Sequence, residues 1–160
     1  MERRDFLKAA AVGVVAAGIA GTARAADPYY PVPVDPKLFG TINRVKDPAG
    51  KSPLEKSHAP VVSAPQQVKA GEPFSVEVSV GESLHAMGPA HWIGYIELLI
   101  GNEPAGRVDF QPKGYLKPKA VFSVVLGPEF ASAGKATLVA YQRCNLHGYW
   151  QGALDIKVIS

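Results

Sequence analysis

The run Phe74-Ser75-Val76-Glu77-Val78-Ser79-Val80 alternates apolar and polar residues without a break. A period of two places successive side chains on opposite faces, so the run reads as a half-buried strand. Similar runs, rich in aromatic and β-branched residues, lie at Trp92 to Ile100, Arg107 to Gln111, Ala120 to Leu126, Ala136 to Gln142 and Leu154 to Ile159. Val61-Val62 and Gln67-Val68 add short pieces. Ala70-Gly71, Gly101-Asn102, Gly127-Pro128 and Ala133-Gly134 punctuate them as turns. No amphipathic helix of useful length appears after the first 26 residues. About seven short strands in roughly 100 residues predict an all-β chain, an antiparallel β-sandwich. A length of 160 residues suffices for one such domain. The single cysteine excludes an intramolecular disulfide framework and any site built from cysteines alone.

Residues 1–26 do not read as part of that fold. Arg3-Arg4-Asp5-Phe6-Leu7-Lys8 precedes an apolar run from Ala9 to Ala20, and Ala23-Arg24-Ala25 supplies a small-x-small cleavage site. The apolar run falls short of the ~20 residues a spanning helix needs, so the segment predicts a cleavable export signal and no membrane anchor once it is removed. The paired arginines and the Ala/Gly-rich middle resemble a twin-arginine signal, with Glu2 where Ser or Thr usually stands. That route carries folded proteins, as a metal protein loaded before export requires, and implies a periplasmic location. The signal holds Arg3, Arg4, Lys8 and Arg24 against Glu2 and Asp5, so most of the formal charge of +3 leaves with it. No basic stripe remains for a nucleic acid. Residues 27–53 are rich in proline and predict an extended arm, which Tyr29, Tyr30, Leu38 and Phe39 could pin to the domain of residues 54–160.

The chemistry-bearing residues are few. They are His58, the pair His85 and His91 five residues apart, and Cys144-Asn145-Leu146-His147. Gly88 and Pro89 make the His-x5-His segment a loop, which can wrap two imidazoles round one ion. Cys-x-x-His at a strand end forms a tight ligand turn. Either pair alone is commonplace, but together with His58 they hold every histidine and the only cysteine. Five nitrogen and sulfur ligands exceed the four of a structural zinc site. A cupredoxin-like copper site takes two histidines, a cysteine and a weak axial methionine, yet no methionine follows His147. Haem attachment would need a second cysteine. Four imidazoles and one thiolate suit a five-coordinate iron with one face open.

The blocks Glu55-Lys56-Ser57-His58-Ala59-Pro60-Val61-Val62, Val80-Gly81, His85-x5-His91-Trp92-Ile93-x-Tyr95-Ile96-Glu97-Leu98 and Cys144-Asn145-Leu146-His147-Gly148-Tyr149-Trp150 resemble the superoxide reductases. The likeness is to the one-iron neelaredoxin type and to the catalytic domain of desulfoferrodoxin, and it runs from about Leu54 to Val158. The resemblance implies an immunoglobulin-like sandwich and one mononuclear iron, with His58, His85, His91 and His147 equatorial and Cys144 axial. It implies reduction of superoxide to hydrogen peroxide, and tetramers are frequent among one-iron relatives. With no four-cysteine site to relay electrons, an external one-electron donor protein is expected. In the family a glutamate and a lysine directly precede the first histidine, the first capping ferric iron and the second attracting superoxide. Glu55 and Lys56 are the candidates here, displaced by the inserted Ser57. In an extended loop that insertion would turn their side chains to the other side. The alternative is an exported electron-transfer metalloprotein without turnover, carrying copper or iron.

Overall fold

A computed structural model describes residues 34–160 of the chain. The expected signal of residues 1–26 and the start of the arm lie outside the described residues. The elements are α1 (Pro36–Phe39), β1 (Ile42–Asn43), α2 (Pro53–His58), β2 (Pro60–Ser63), β3 (Gln67–Lys69), β4 (Phe74–Val80), β5 (Ile93–Ile100), β6 (Glu103–Asp109), β7 (Lys119–Val124), α3 (Pro128–Ala133), β8 (Lys135–Cys144) and β9 (Gly148–Ile159). Among the described residues no helix is long and apolar enough to cross a membrane.

The strands form two sheets, one in the order β1-β9-β8-β5-β6 with β3 also paired to β9, the other β2-β4-β7. The alternation in β4 works as read: Val76, Val78 and Val80 are fully buried, while their polar neighbours face away. From the larger sheet Ile96, Leu98, Leu138, Ala140, Ile156 and Val158 join them in one core. Burying each of the valines, leucines and isoleucines among them stabilises by about 1.5–3 kcal/mol, so this layer carries the sandwich.

The structure departs from the sequence reading in five places. β9 begins at Gly148, six residues before the expected Leu154, because Gly152 is a packing requirement and not a strand breaker. A Cβ there would overlap the carbonyl oxygen of Pro60 in the facing sheet. The pairing is not wholly antiparallel, since the short β1 and β3 both run parallel to β9. Gly127-Pro128 and Gly134 bracket a helix, with proline in the first turn and a left-handed glycine at φ +73° closing it. From Pro36 onward the arm is built into the sandwich, and Ile42 and Asn43 pair with Tyr149 and Trp150.

The fifth departure bears on the site. Residues 53–58 are helical, not an extended loop. Ser52 caps the helix, Pro53 opens it, and Glu55 reaches back to the Ser52 amide, a reciprocal capping box. Helical residues turn by about 100°, so the period-two argument about the inserted Ser57 does not apply.

Candidate metal centre

Three segments meet at one end of the sandwich. The last residue of α2 is His58. The loop between β4 and β5 supplies His85 and His91, and the turn between β8 and β9 supplies Cys144 and His147. Ligand atoms of His58, His91, Cys144 and His147 lie within 4.8 Å of one another. His85 completes the group. Its Nε2 is 3.1 Å from His58 Nε2 and 3.0 Å from His91 Nε2, and His91 Nε2 is 3.1 Å from His147 Nδ1. Cys144 Sγ sits 3.1 Å from His91 Nε2, 3.5 Å from His147 Nδ1 and 3.9 Å from His85 Nε2. All five sequence-predicted ligands are therefore brought together, three histidines through Nε2 and His147 through Nδ1.

The tautomers show what such a group requires. His58 Nδ1 donates to the Leu54 carbonyl at 3.0 Å and His85 Nδ1 to the Ala86 carbonyl at 2.5 Å. Carbonyl oxygens only accept, and the Ser57 hydroxyl, 2.8 Å from His58 Nδ1, donates its own proton to the Pro53 carbonyl at 3.0 Å, so both imidazole protons sit on Nδ1 and both Nε2 atoms present bare lone pairs. Two lone pairs facing each other at 3.1 Å repel unless a cation lies between them. Metal–imidazole bonds of about 2.1 Å set at right angles would place neighbouring nitrogens about 3.0 Å apart. The spacing, the tautomers and the thiol all fit one transition-metal ion.

Burial prepares the ligands in the same sense. It pushes the pKa of His58 down to about 3 and that of His85 down to about 4, with neighbouring imidazoles adding to the effect. His91 and His147 are lowered as well, His147 by burial and His91 by burial and by His147. All four are thus neutral near pH 7, as metal ligands must be. Burial raises the Cys144 thiol, while amides of Leu146 and His147 donate toward its sulfur and oppose that rise. His58, His85 and Cys144 are buried, whereas His91 and His147 are half-exposed. Solvent therefore reaches the cluster over the last two.

Three further side chains brace the ligands and belong to no ligand motif of their own. Asn145 is 4% exposed and ties the two ligand segments together. Its Oδ1 accepts from the Trp92 amide at 2.8 Å, and its Nδ2 donates to the Ala90 carbonyl at 2.9 Å. Gln142, fully buried, donates to the His58 carbonyl at 2.9 Å. Trp150 donates to the His147 carbonyl and stacks on His58 with ring centroids 5.5 Å apart. Asn145 lies inside the Cys-x-x-His motif, and its position between two ligands was the available signal. Gly148 adopts φ +71° directly after His147, and a Cβ there would overlap the Leu38 carbonyl of α1.

Glu55 is engaged in the cap of its own helix. The Glu55 carboxylate accepts from the Ser52 amide at 2.7 Å and the Lys46 amide at 2.9 Å, which holds its pKa below the usual range. It is not among the converging ligand atoms, and reaching them would break the helix cap. Lys56 is exposed, and its carbonyl accepts from the Glu82 amide.

The family model for desulfoferrodoxin matches residues 50–153, a span that contains all five converging ligands. This chain belongs to the desulfoferrodoxin family. A relative from Methanocaldococcus jannaschii is 38% identical over 115 residues, covering 72% of this chain and 92% of its own. The superoxide reductase of Pyrococcus horikoshii is 32% identical over 111 residues, 64% of this chain and 89% of its own. Among solved desulfoferrodoxin-like structures, the superoxide reductase (neelaredoxin) of Ignicoccus hospitalis superposes with a TM-score of 0.61 at 36% identity. That match covers 77% of this chain and 97% of the other.

Proposed function

We propose that this protein is a superoxide reductase that converts superoxide to hydrogen peroxide at one mononuclear iron. The observation that carries the reading is the convergence of four imidazole nitrogens on a single thiol, in a member of the desulfoferrodoxin family. His58, His85, His91, His147 and Cys144 would hold the metal. Bound there, iron supplies one electron per superoxide and cycles between its ferrous and ferric states. Two protons complete the conversion to hydrogen peroxide.

The chain's own groups set the conditions. Carbonyls fix two imidazoles in the ligating tautomer, so no reorientation is needed when the metal binds. The thiolate is electron-rich, and the amides of Leu146 and His147 temper its donation. Superoxide approaches over the half-exposed His91 and His147, and the exposed Lys56 adds long-range attraction. We further propose export to the periplasm on the twin-arginine-type signal, and return of the iron to the ferrous state by an external one-electron donor protein. The paired arginines and the lack of a second cysteine support these two points.

Pulse radiolysis of the ferrous protein tests the reading, with metal analysis alongside. The expected result is about one iron per chain and a fast second-order reaction with superoxide. Copper with an intense blue colour, or intact iron that reacts slowly, would overturn it. Lys56→Ala should lower the rate and its salt dependence if this lysine steers the anion.

A further inference from the structure

The loop between β6 and β7 carries residues that neither the core nor the metal site uses. Tyr115 is 88% exposed and Leu116 60%. Lys113 and Lys117 flank them, both exposed, and among the described residues neither pairs with an acid. The next lysine, Lys119, is neutralised by Glu77 at 2.8 Å. The loop therefore presents a large apolar tip between two uncompensated positive charges.

This tip leans on the metal loop. Gly114 has φ +74°, and a Cβ there would overlap the carbonyl oxygen of Met87, which lies between ligands His85 and His91. Met87 adjoins Ala86, whose carbonyl accepts the His85 Nδ1 proton. The patch is thus one backbone contact and one hydrogen bond from a ligand ring. Leu84, 46% exposed and next to His85, lies on the same end of the sandwich. Pro118 O accepts from the Val80 amide at 2.9 Å, and Val80 O accepts from the His85 amide at 3.0 Å, so loop and ligand turn hang on one residue.

We infer that the Lys113–Lys117 loop is the docking surface for the one-electron donor, and that the donor is a protein with an acidic rim around an exposed redox centre. The inference rests on the superoxide reductase reading for the need of a donor. A small apolar centre with a charged rim suits a transient redox encounter, where binding must be brief and charge complementarity sets the on-rate. One electron passes from the reduced donor to ferric iron, leaving oxidised donor and ferrous iron, with no atom transferred.

The test uses the iron-loaded protein with an acidic plant-type [2Fe–2S] ferredoxin and, for contrast, basic cytochrome c. Calorimetry at low and high salt should show ferredoxin binding that salt abolishes, and no comparable binding of cytochrome c. Lys113→Glu with Lys117→Glu should weaken ferredoxin binding by about tenfold or more and flatten its salt dependence. Tyr115→Ser with Leu116→Ser should weaken binding while keeping the salt dependence. Its ferrous form should still react normally with superoxide, and its ferric form should still be reduced normally by dithionite. Unchanged ferredoxin binding in both variants would overturn the docking surface, even if superoxide reduction is intact. A patch-dependent ferredoxin complex in a protein inert to superoxide would instead overturn the functional reading and leave the surface standing. Dissociation of an oligomer by either variant would assign the patch to a second copy of this chain and overturn the inference.

Discussion

Replacing Asn145 by alanine should loosen the metal centre without touching a ligand. The side chain makes two hydrogen bonds, at 2.8 Å from the Trp92 amide and 2.9 Å to the Ala90 carbonyl. Each bond contributes about 1 kcal/mol net, and each abandoned buried partner costs up to about 3 kcal/mol. Ala90 and Trp92 are only half-buried, so water relieves part of that cost. The expected destabilisation is therefore about 2 kcal/mol. The Asn145 amide still donates to the Trp92 carbonyl at 3.1 Å, so strand pairing survives and the loss is confined to the clamp. Urea unfolding should show a lower midpoint at unchanged slope. A chelator should remove the metal faster from the variant, because the two ligand segments are no longer tied. Asn145→Asp separates the two bonds. It keeps the acceptor for Trp92 but sets an oxygen against the Ala90 carbonyl, and should be at least as destabilising as alanine. A loss below about 0.5 kcal/mol with unaltered metal release would refute the clamp, since surface substitutions reach that value.

Gly148→Ala should be far more damaging than Gly71→Ala, although both glycines have positive φ. Gly71 has open space around it and should cost about 1–2 kcal/mol in backbone strain, whereas Gly148 also meets the Leu38 carbonyl and should lose bound iron; equal melting temperatures would refute the close approach. Cys144→Ser should abolish the thiolate-to-iron absorption of the oxidised protein, and unchanged colour would remove Cys144 from the site. In the metal-free protein, burial holds His58 at about 3 and His85 at about 4, against about 6.5 in an unfolded chain. The unfolded state then binds more protons below about pH 6.5, so stability should fall as pH drops from about 6.5 toward about 3. Urea midpoints that stay flat across that window would contradict the burial of these rings.

The strands of the core were legible because alternation is a direct image of a two-faced sheet, as in Val76, Val78 and Val80. The ligands were legible because histidine and cysteine are so scarce here that their spacing carries most of the information. What escaped detection were features whose cause lies in a distant segment. Gly152 looks like a breaker until Pro60 is seen against it. Helix α2 was missed despite a local signal, since Ser52-Pro53-Leu54-Glu55 is a capping box that hydrophobic periodicity cannot reveal. The same box explains why Glu55, read as an iron cap, is engaged by two backbone amides. Asn145 and Gln142 act through partners 53 to 84 residues away, which no local pattern encodes.

The lone pairs of His58 and His85 face each other across 27 residues of chain, and His91 Nε2 meets the Cys144 sulfur across 53. Drawing such distant stretches together costs loop-closure entropy, which grows only slowly with their length. A chain with one cysteine has no disulfide with which to offset it. An ion held by three separate segments closes both loops at once and binds only the folded state, so it acts as a cross-link whose strength depends on how much metal is free. The mechanical integrity of this end of the sandwich is then set by iron supply, while the opposite end, where β3 pairs with the tail of β9, stands on its apolar core alone.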